Sequence, residues 1–132
     1  MSKAVKPADY YELRGAVVEM FYETLLAEKY TFGQATSRCL VEFRREILGG
    51  GRDALVTLAT ILSRLARHEP GSLMRFAPEL ENLHLYSLNN LFWNGLGREA
   101  RERLREDVRF VWEKVPGHSA QRREVAASKA AK

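Results

Sequence analysis

The pattern Glu81-Asn-Leu-His84 comes closer to a metal-binding motif than any other pairing in this chain. Glu-x-x-His places a carboxylate and an imidazole on one face of a helix, as in helical bundles that hold two iron ions. Such a centre needs a second Glu-x-x-His and two further carboxylates, and the sequence contains no second copy. We therefore expect neither a metal centre nor another cofactor.

The other residues that could do chemistry lack partners at useful spacings. Cys39 falls on the apolar stripe of a predicted helix with no histidine close by in sequence, which indicates a core position rather than a nucleophile. His68 and His118 have no Ser, Cys or Asp partner at an informative spacing. The glycines at 49–51 lack the Lys-Ser/Thr of a P-loop and predict a helix end. The sequence therefore predicts no catalytic residues and no enzyme activity.

Length and composition indicate one globular domain. A chain of 132 residues, 45% hydrophobic and 29% charged, can bury one core. No apolar run approaches the roughly 20 residues that span a bilayer, and no apolar stretch follows the N-terminal lysines as it would in a secretory signal. The single cysteine agrees with a reducing compartment. We expect a cytoplasmic protein that does not cross a membrane.

Apolar residues at steps of three and four predict an all-α fold, a compact bundle of about five helices. Thr31 and Gln34 form a capping box, and Asp53 is a candidate N-cap for the third helix. The predicted helices cover residues 7–28 and 32–48, a third from Asp53 to the break at Pro70, a fourth that opens at Pro78 and is ended by Asn94, Gly95 and Gly97, and a fifth at about 98–115, with a turn or short helical piece at 72–77.

One segment admits two readings. The alternation from Leu83 to Tyr86 is compatible with a strand or a helix, and a helix is expected because a lone strand has nothing to pair with. The helical domain is placed at residues 8–115. Residues 116–132 have no apolar period and are rich in Ala, Ser, Lys and Arg, which predicts a flexible, disordered basic tail.

The first predicted helix has a core face and an acidic face. The predicted core stripe is Leu13, Val17, Met20, Phe21 and Thr24. The acidic residues lie on a different side, and they are Asp9, Glu12, Glu19 and Glu23. Like charges at i,i+4 gain no helix stability, so this face is a candidate partner-binding surface with Tyr22 as an aromatic anchor. The alternative is an ordinary solvated face.

The last predicted helix carries a column of arginines beside its apolar stripe. The stripe consists of Ala100, Leu104, Val108, Val111 and Val115, and candidate core positions on the helix before it are Leu80, Leu83, Leu88, Leu91 and Phe92. Arg101, Arg105 and Arg109 repeat every four residues and form an alternative surface for an anion or an acidic partner. Neighbouring glutamates also make a solvated face possible.

The net charge of +4 is concentrated at the ends of the chain. The tails carry Lys3, Lys6, Arg122, Arg123, Lys129 and Lys132 against Glu124 alone. The rest of the chain is therefore slightly acidic and lacks the basic face that nucleic-acid binding needs. Basic tails still leave a small nucleic-acid-associated regulator as the alternative function.

Several segments resemble a known family. They are residues 11–13 (Tyr-Glu-Leu), 22–30 (Tyr-Glu-Thr-Leu-Leu-Ala-Glu-Lys-Tyr), 35–36 (Ala-Thr) and 40–43 (Leu-Val-Glu-Phe), with a weaker extension through 53–59. Over roughly residues 10–66 the chain resembles the Imm3-like immunity proteins of bacterial polymorphic toxin systems. This resemblance implies a non-enzymatic inhibitor that binds a cognate protein toxin in the cytoplasm.

Overall fold

The computed structural model describes the backbone of residues 10–115 and the side chains from Arg14 onward. Asp9, the N-terminal lysines and the predicted tail at 116–132, with His118, lie outside the described residues. Between 10 and 115 all regular structure is helical, which confirms the predicted all-α class. The elements are α1 (Tyr10–Ala27), α2 (Phe32–Glu42), α3 (Arg44–Gly49), α4 (Gly51–His68), a 3-10 helix (Pro70–Phe76), α5 (Ala77–Leu88), α6 (Asn90–Trp93) and α7 (Arg98–Lys114).

The fold is organised around α4, which contacts every other helical element. Its predicted stripe of Leu55, Leu58, Leu62 and Leu65 is fully buried, as is Ile61. Even Thr57 and Thr60 on this helix are buried, because neighbours cover it on nearly all sides. The prediction that this helix is central is confirmed.

The predicted second helix is two helices with a break at Phe43. The capping box at its start is confirmed, since Gln34 N donates to Thr31 Oγ1 over 3.1 Å and Thr31 N donates to Gln34 Oε1 over 3.0 Å. Phe43 leaves helical geometry, with φ −101° and ψ 23°, and its ring packs edge-on against Phe21 of α1 at 5.5 Å between centroids. The chain leaves helical geometry at Phe43 before α3 begins, and Ile47 of α3 is still buried in the core.

The glycine triplet ends α3 as predicted, but the predicted Asp53 cap is wrong. Gly49 is the last residue of α3, and Gly50 adopts φ 73° and ψ −171°, which reverses the chain into α4. Because α4 already begins at Gly51, Asp53 lies inside its first turn, and no side chain among the described residues caps the start of this helix. The backbone freedom of Gly50 replaces a side-chain cap here.

In the second half of the chain, the segment that the sequence allowed to be either a strand or a helix is helical. Residues 83–88 belong to α5, and the 3-10 helix occupies the segment for which a turn or short helical piece was predicted. The predicted fourth helix breaks at Asn89, whose side chain accepts from Leu91 N over 3.0 Å and starts α6. Leu80 and Leu83 are core residues, but the prediction for Leu88 and Leu91 is wrong because both side chains face solvent.

The buried face of α1 also differs from the predicted one. Val18, Tyr22 and Leu25 are buried, whereas Val17 is 52% exposed and Met20 is 69% exposed. The buried residues follow a stripe of the same helical period, rotated from the predicted one. The α1 core prediction is therefore wrong for Val17 and Met20, and also for the exposed Thr24.

The described helices also bear on membrane association. Across residues 10–115, no helix combines the length and the apolar character that are needed to cross a membrane.

Candidate functional site

Tyr22 is a core residue, and its assignment as a surface anchor is corrected. Its hydroxyl donates to the Phe32 carbonyl over 2.9 Å, so the Thr36 hydroxyl, 2.7 Å away, must donate to Tyr22. Burial raises the pKa of Tyr22 to about 12. Since both hydrogen-bonding directions of the phenol are satisfied inside the fold, Tyr22 holds α1 on α2 and presents nothing to a partner.

One of the acidic residues of α1 is held in an ion pair with a neighbouring helix. Glu23 forms an ion pair with Arg64 of α4, and the Arg64 guanidinium also lies 5.4 Å from the centre of the Tyr22 ring. Glu19 is exposed. The backbone of Glu12 lies in α1 while its side chain, like the whole of Asp9, lies outside the described residues. Glu23 therefore helps to dock α1 on α4 as well as contributing charge to the surface.

The exposed side of α1 combines acidic and apolar side chains. We define the α1 outer face as Val17, Glu19, Met20 and Glu23, all of which are exposed. Met20 and Val17 are among the most exposed large hydrophobic side chains of α1. The sequence correctly indicated acids on the surface but assigned their apolar neighbours to the core. The observed face is thus more apolar than the predicted one.

A polar cleft of about 420 Å³ lies between α1, α4 and α7. Its walls include Glu19, Ser63, Arg64, Arg67, Arg103 and Asp107. Arg67 Nη2 lies 3.4 Å from Asp107 Oδ1, and burial raises the pKa of Asp107 to about 6. Carboxyl groups with pKa values near neutrality are characteristic of proton-transfer sites, but burial of a carboxyl between packed helices also raises its pKa. Here the pair joins α4 to α7.

The sequence reading missed Asp107 because it counted this residue with the outer surface of the last helix. Only 8% of Asp107 is exposed. It follows Leu104 by three positions and precedes Val111 by four, so it occupies a position on the buried stripe itself. A carboxylate at such a position was the signal that could have identified it.

Two of the three arginines in the α7 column line a cleft, and the third does not. Arg101 and Arg105 line a cleft of about 330 Å³ together with Ser87, Asn90, Trp93 and Asn94. Arg109 is exposed and does not line this cleft. The stripe beneath the column is confirmed at Ala100, Leu104, Val108 and Val111, which are buried, whereas Val115 is half-buried.

The residues considered for metal or nucleophilic chemistry have structural contacts. His84 packs edge-on against Trp112 at 5.8 Å between ring centres, and His68 stacks on Phe32 at 4.6 Å. Cys39 is buried as predicted, and burial raises the pKa of its thiol to about 12, so that the thiolate is disfavoured. The described residues contain no cluster of three or more His, Cys, Asp or Glu side chains suited to a metal ion.

Comparison of the chain with protein-family models, curated proteins and solved structures found no match. The resemblance to Imm3-like immunity proteins therefore stays a prediction drawn from the residues themselves.

Proposed function

We propose that this protein is a non-enzymatic, protein-binding inhibitor that neutralises a cognate bacterial toxin in the cytoplasm. The observation that carries the proposal is the α1 outer face, where exposed apolar side chains stand beside acidic ones. The resemblance over residues 10–66 supports the same function and covers this helix.

The apolar part of the face supports protein binding. Met20 is 69% exposed and Val17 is 52% exposed, one turn apart on the same helix. Methionine is enriched in protein interfaces because its flexible thioether adapts to the partner surface. Met20 therefore takes the anchoring role that Tyr22, being buried, cannot fill.

The acidic part of the face indicates the charge of the partner. Glu19 and Glu23 lie on one side of Met20, and Glu12 with Asp9 adds negative charge in the same sequence segment. Toxins that act on nucleic acids bind phosphates and therefore present basic clefts. An acidic helix inserted into such a cleft accelerates association and blocks access by the substrate.

The proposal is tested by co-expression in bacteria. The protein is produced together with a toxin-like protein sought among the genes that neighbour its own, and growth is compared for the parent and for Met20→Glu and Glu19→Lys. We expect the parent to restore growth and Met20→Glu to lose protection. Glu19→Lys should slow association about tenfold at low salt and less at high salt, because the steering charge is reversed.

Matched controls separate the α1 outer face from general damage. Leu88 is 66% exposed on α5, so Leu88→Glu makes a comparable change away from this face. Glu99→Lys is the corresponding charge control on α7.

If the parent fails to protect, the inhibitor function is wrong. Steeply salt-dependent DNA binding by the same protein would then favour the nucleic-acid-associated regulator. If Leu88→Glu loses as much protection as Met20→Glu, the interface lies elsewhere.

A further inference from the structure

We propose that the cleft between α5, α6 and α7 binds the phosphate group of a small phosphate monoester. The cleft has a volume of about 330 Å³ and is lined by Ser87, Asn90, Trp93, Asn94, Arg101 and Arg105. Small-molecule sites commonly begin near this volume. Two guanidinium groups share this cleft, and no Asp or Glu from residues 10–115 lines it. The site does not depend on the α1 outer face.

Arg101 provides the first reason to assign a ligand. Its Nε atom is buried and has no hydrogen-bond partner anywhere in the described chain. A buried donor without an acceptor is unfavourable, and this donor belongs to a charged group. An oxyanion in the cleft, bound by the terminal nitrogens of this guanidinium, would supply the opposite charge. Guanidinium groups suit this role because their planar array of donors matches two oxygens of a phosphate.

Arg105 and Trp93 provide the second reason, because their geometry is fixed before any ligand binds. Trp93 Nε1 donates to the Ser87 carbonyl over 2.9 Å, which fixes the indole against the end of α5. The Arg105 guanidinium lies 5.6 Å from the centre of this ring. An arginine held on an aromatic ring loses less freedom when it binds an anion. The side-chain amides of Asn90 and Asn94 add hydrogen-bond donors to the same walls.

The charges around the cleft favour a small monoester over a nucleic acid. A polynucleotide lying along α7 would also need Arg109, but the exposed Glu102 and Glu106 stand beside the column and repel a continuous chain of phosphates. A compact dianion can contact Arg101 and Arg105 without approaching these carboxylates as closely. The indole offers an apolar surface for the organic part of the monoester.

The test follows the indole N–H resonance of Trp93 by NMR in the full chain during titration with phenyl phosphate and, separately, inorganic phosphate. Ionic strength is held constant with sodium chloride, and Trp93→Phe assigns the resonance. We expect a saturable shift with both probes and tighter binding of phenyl phosphate. Arg105→Gln and Arg101→Gln should each weaken binding about tenfold, because each removes a charge-assisted contact.

The control is Arg109→Gln, which removes the same charge from the same column outside the cleft. It should bind phenyl phosphate within about twofold of the parent, since a solvated charge at this distance is largely screened. Arg105 is exposed, so its variant keeps the test valid even if Arg101→Gln fails to fold. The proposal is overturned if no saturable shift occurs, or if Arg105→Gln binds like the parent. It is also overturned if Arg109→Gln is as impaired, or if a single-stranded oligonucleotide binds far more tightly and needs all three arginines.

Discussion

Tyr22 and Asp107 are polar residues that the sequence pattern assigned to the surface. In the folded chain both are buried. Tyr22 is accommodated because its hydroxyl bonds to Phe32 and Thr36. Asp107 Oδ1 lies 3.4 Å from Arg67 Nη2, and burial raises the pKa of the Asp107 carboxyl to about 6. The first residue stabilises the helix packing, and the second makes the stability depend on pH.

The pKa shift of Asp107 predicts a specific pH dependence. Its pKa rises from 3.8 in the unfolded reference to about 6 in the folded chain, so the folded chain binds the proton more tightly. This contribution to stability is fully present below about pH 4 and is lost as the pH rises through about 6. Relative to Asp107→Asn, the parent should therefore lose about 2 to 3 kcal/mol of unfolding free energy between pH 4 and 7.

Urea unfolding of both proteins across this pH range measures the effect. Glu99→Gln, an exposed carboxylate change on the same helix, serves as the control and should follow the parent at every pH. Parallel curves for the parent and Asp107→Asn would show that Asp107 does not titrate in this range.

At the scale of elements, local signals were sufficient at the start of α2 but not at the start of α4. Thr31 and Gln34 fix the start of α2 through bonds within four residues, so the sequence alone was sufficient. Asp53 was misplaced as a cap because the turn into α4 uses Gly50 at φ 73° and ψ −171°, a backbone region open almost only to glycine. The breaks at Phe43 and Asn89 likewise depend on where the following helix must pack.

The α3–α4 turn yields a prediction from two adjacent glycines. Gly50→Ala should lower the unfolding free energy by about 1 to 3 kcal/mol because alanine is strained at this φ and ψ. A Cβ at Gly50 would lie 3.4 Å from the Phe92 ring, an ordinary contact distance, so the expected cost comes from the backbone conformation. Gly49→Ala is the matched control. Gly49 is helical and has open space around it, so alanine should raise stability by about 0.4 to 1 kcal/mol. Equal effects in thermal or urea unfolding would contradict this account of the turn.

At the scale of the whole molecule, one central helix carries the core. Because α4 contacts every other element, the loss of packing at its centre weakens several interfaces together. The outer helices are instead half-buried, and they carry the surfaces proposed for binding: the α1 outer face and the cleft beside α7. Both α1 and α7 thus carry core residues on one side and the residues proposed for binding on another.

This arrangement predicts different costs for two identical leucine substitutions. Leu62 is fully buried on α4, so Leu62→Ala should cost about 2 to 5 kcal/mol of unfolding free energy. Leu88 was also predicted to be core, yet its exposure on α5 limits the expected cost of Leu88→Ala to about 0.5 kcal/mol. Chemical denaturation with helical ellipticity as the signal distinguishes the two. A comparable cost for Leu88→Ala would mean that a partner or another part of the chain covers it.

The sequence by itself determined the all-α class, the position of most helices, and the buried stripes of α4 and α7. These features follow from the helical period, capping and glycine, which act over a few residues. Only the tertiary structure decided which of two stripes on α1 is buried, since Val18, Tyr22 and Leu25 satisfy the same period as the predicted set. It also decided which charges are paired, because Arg67 and Asp107 lie 40 positions apart and meet only when α7 packs on α4.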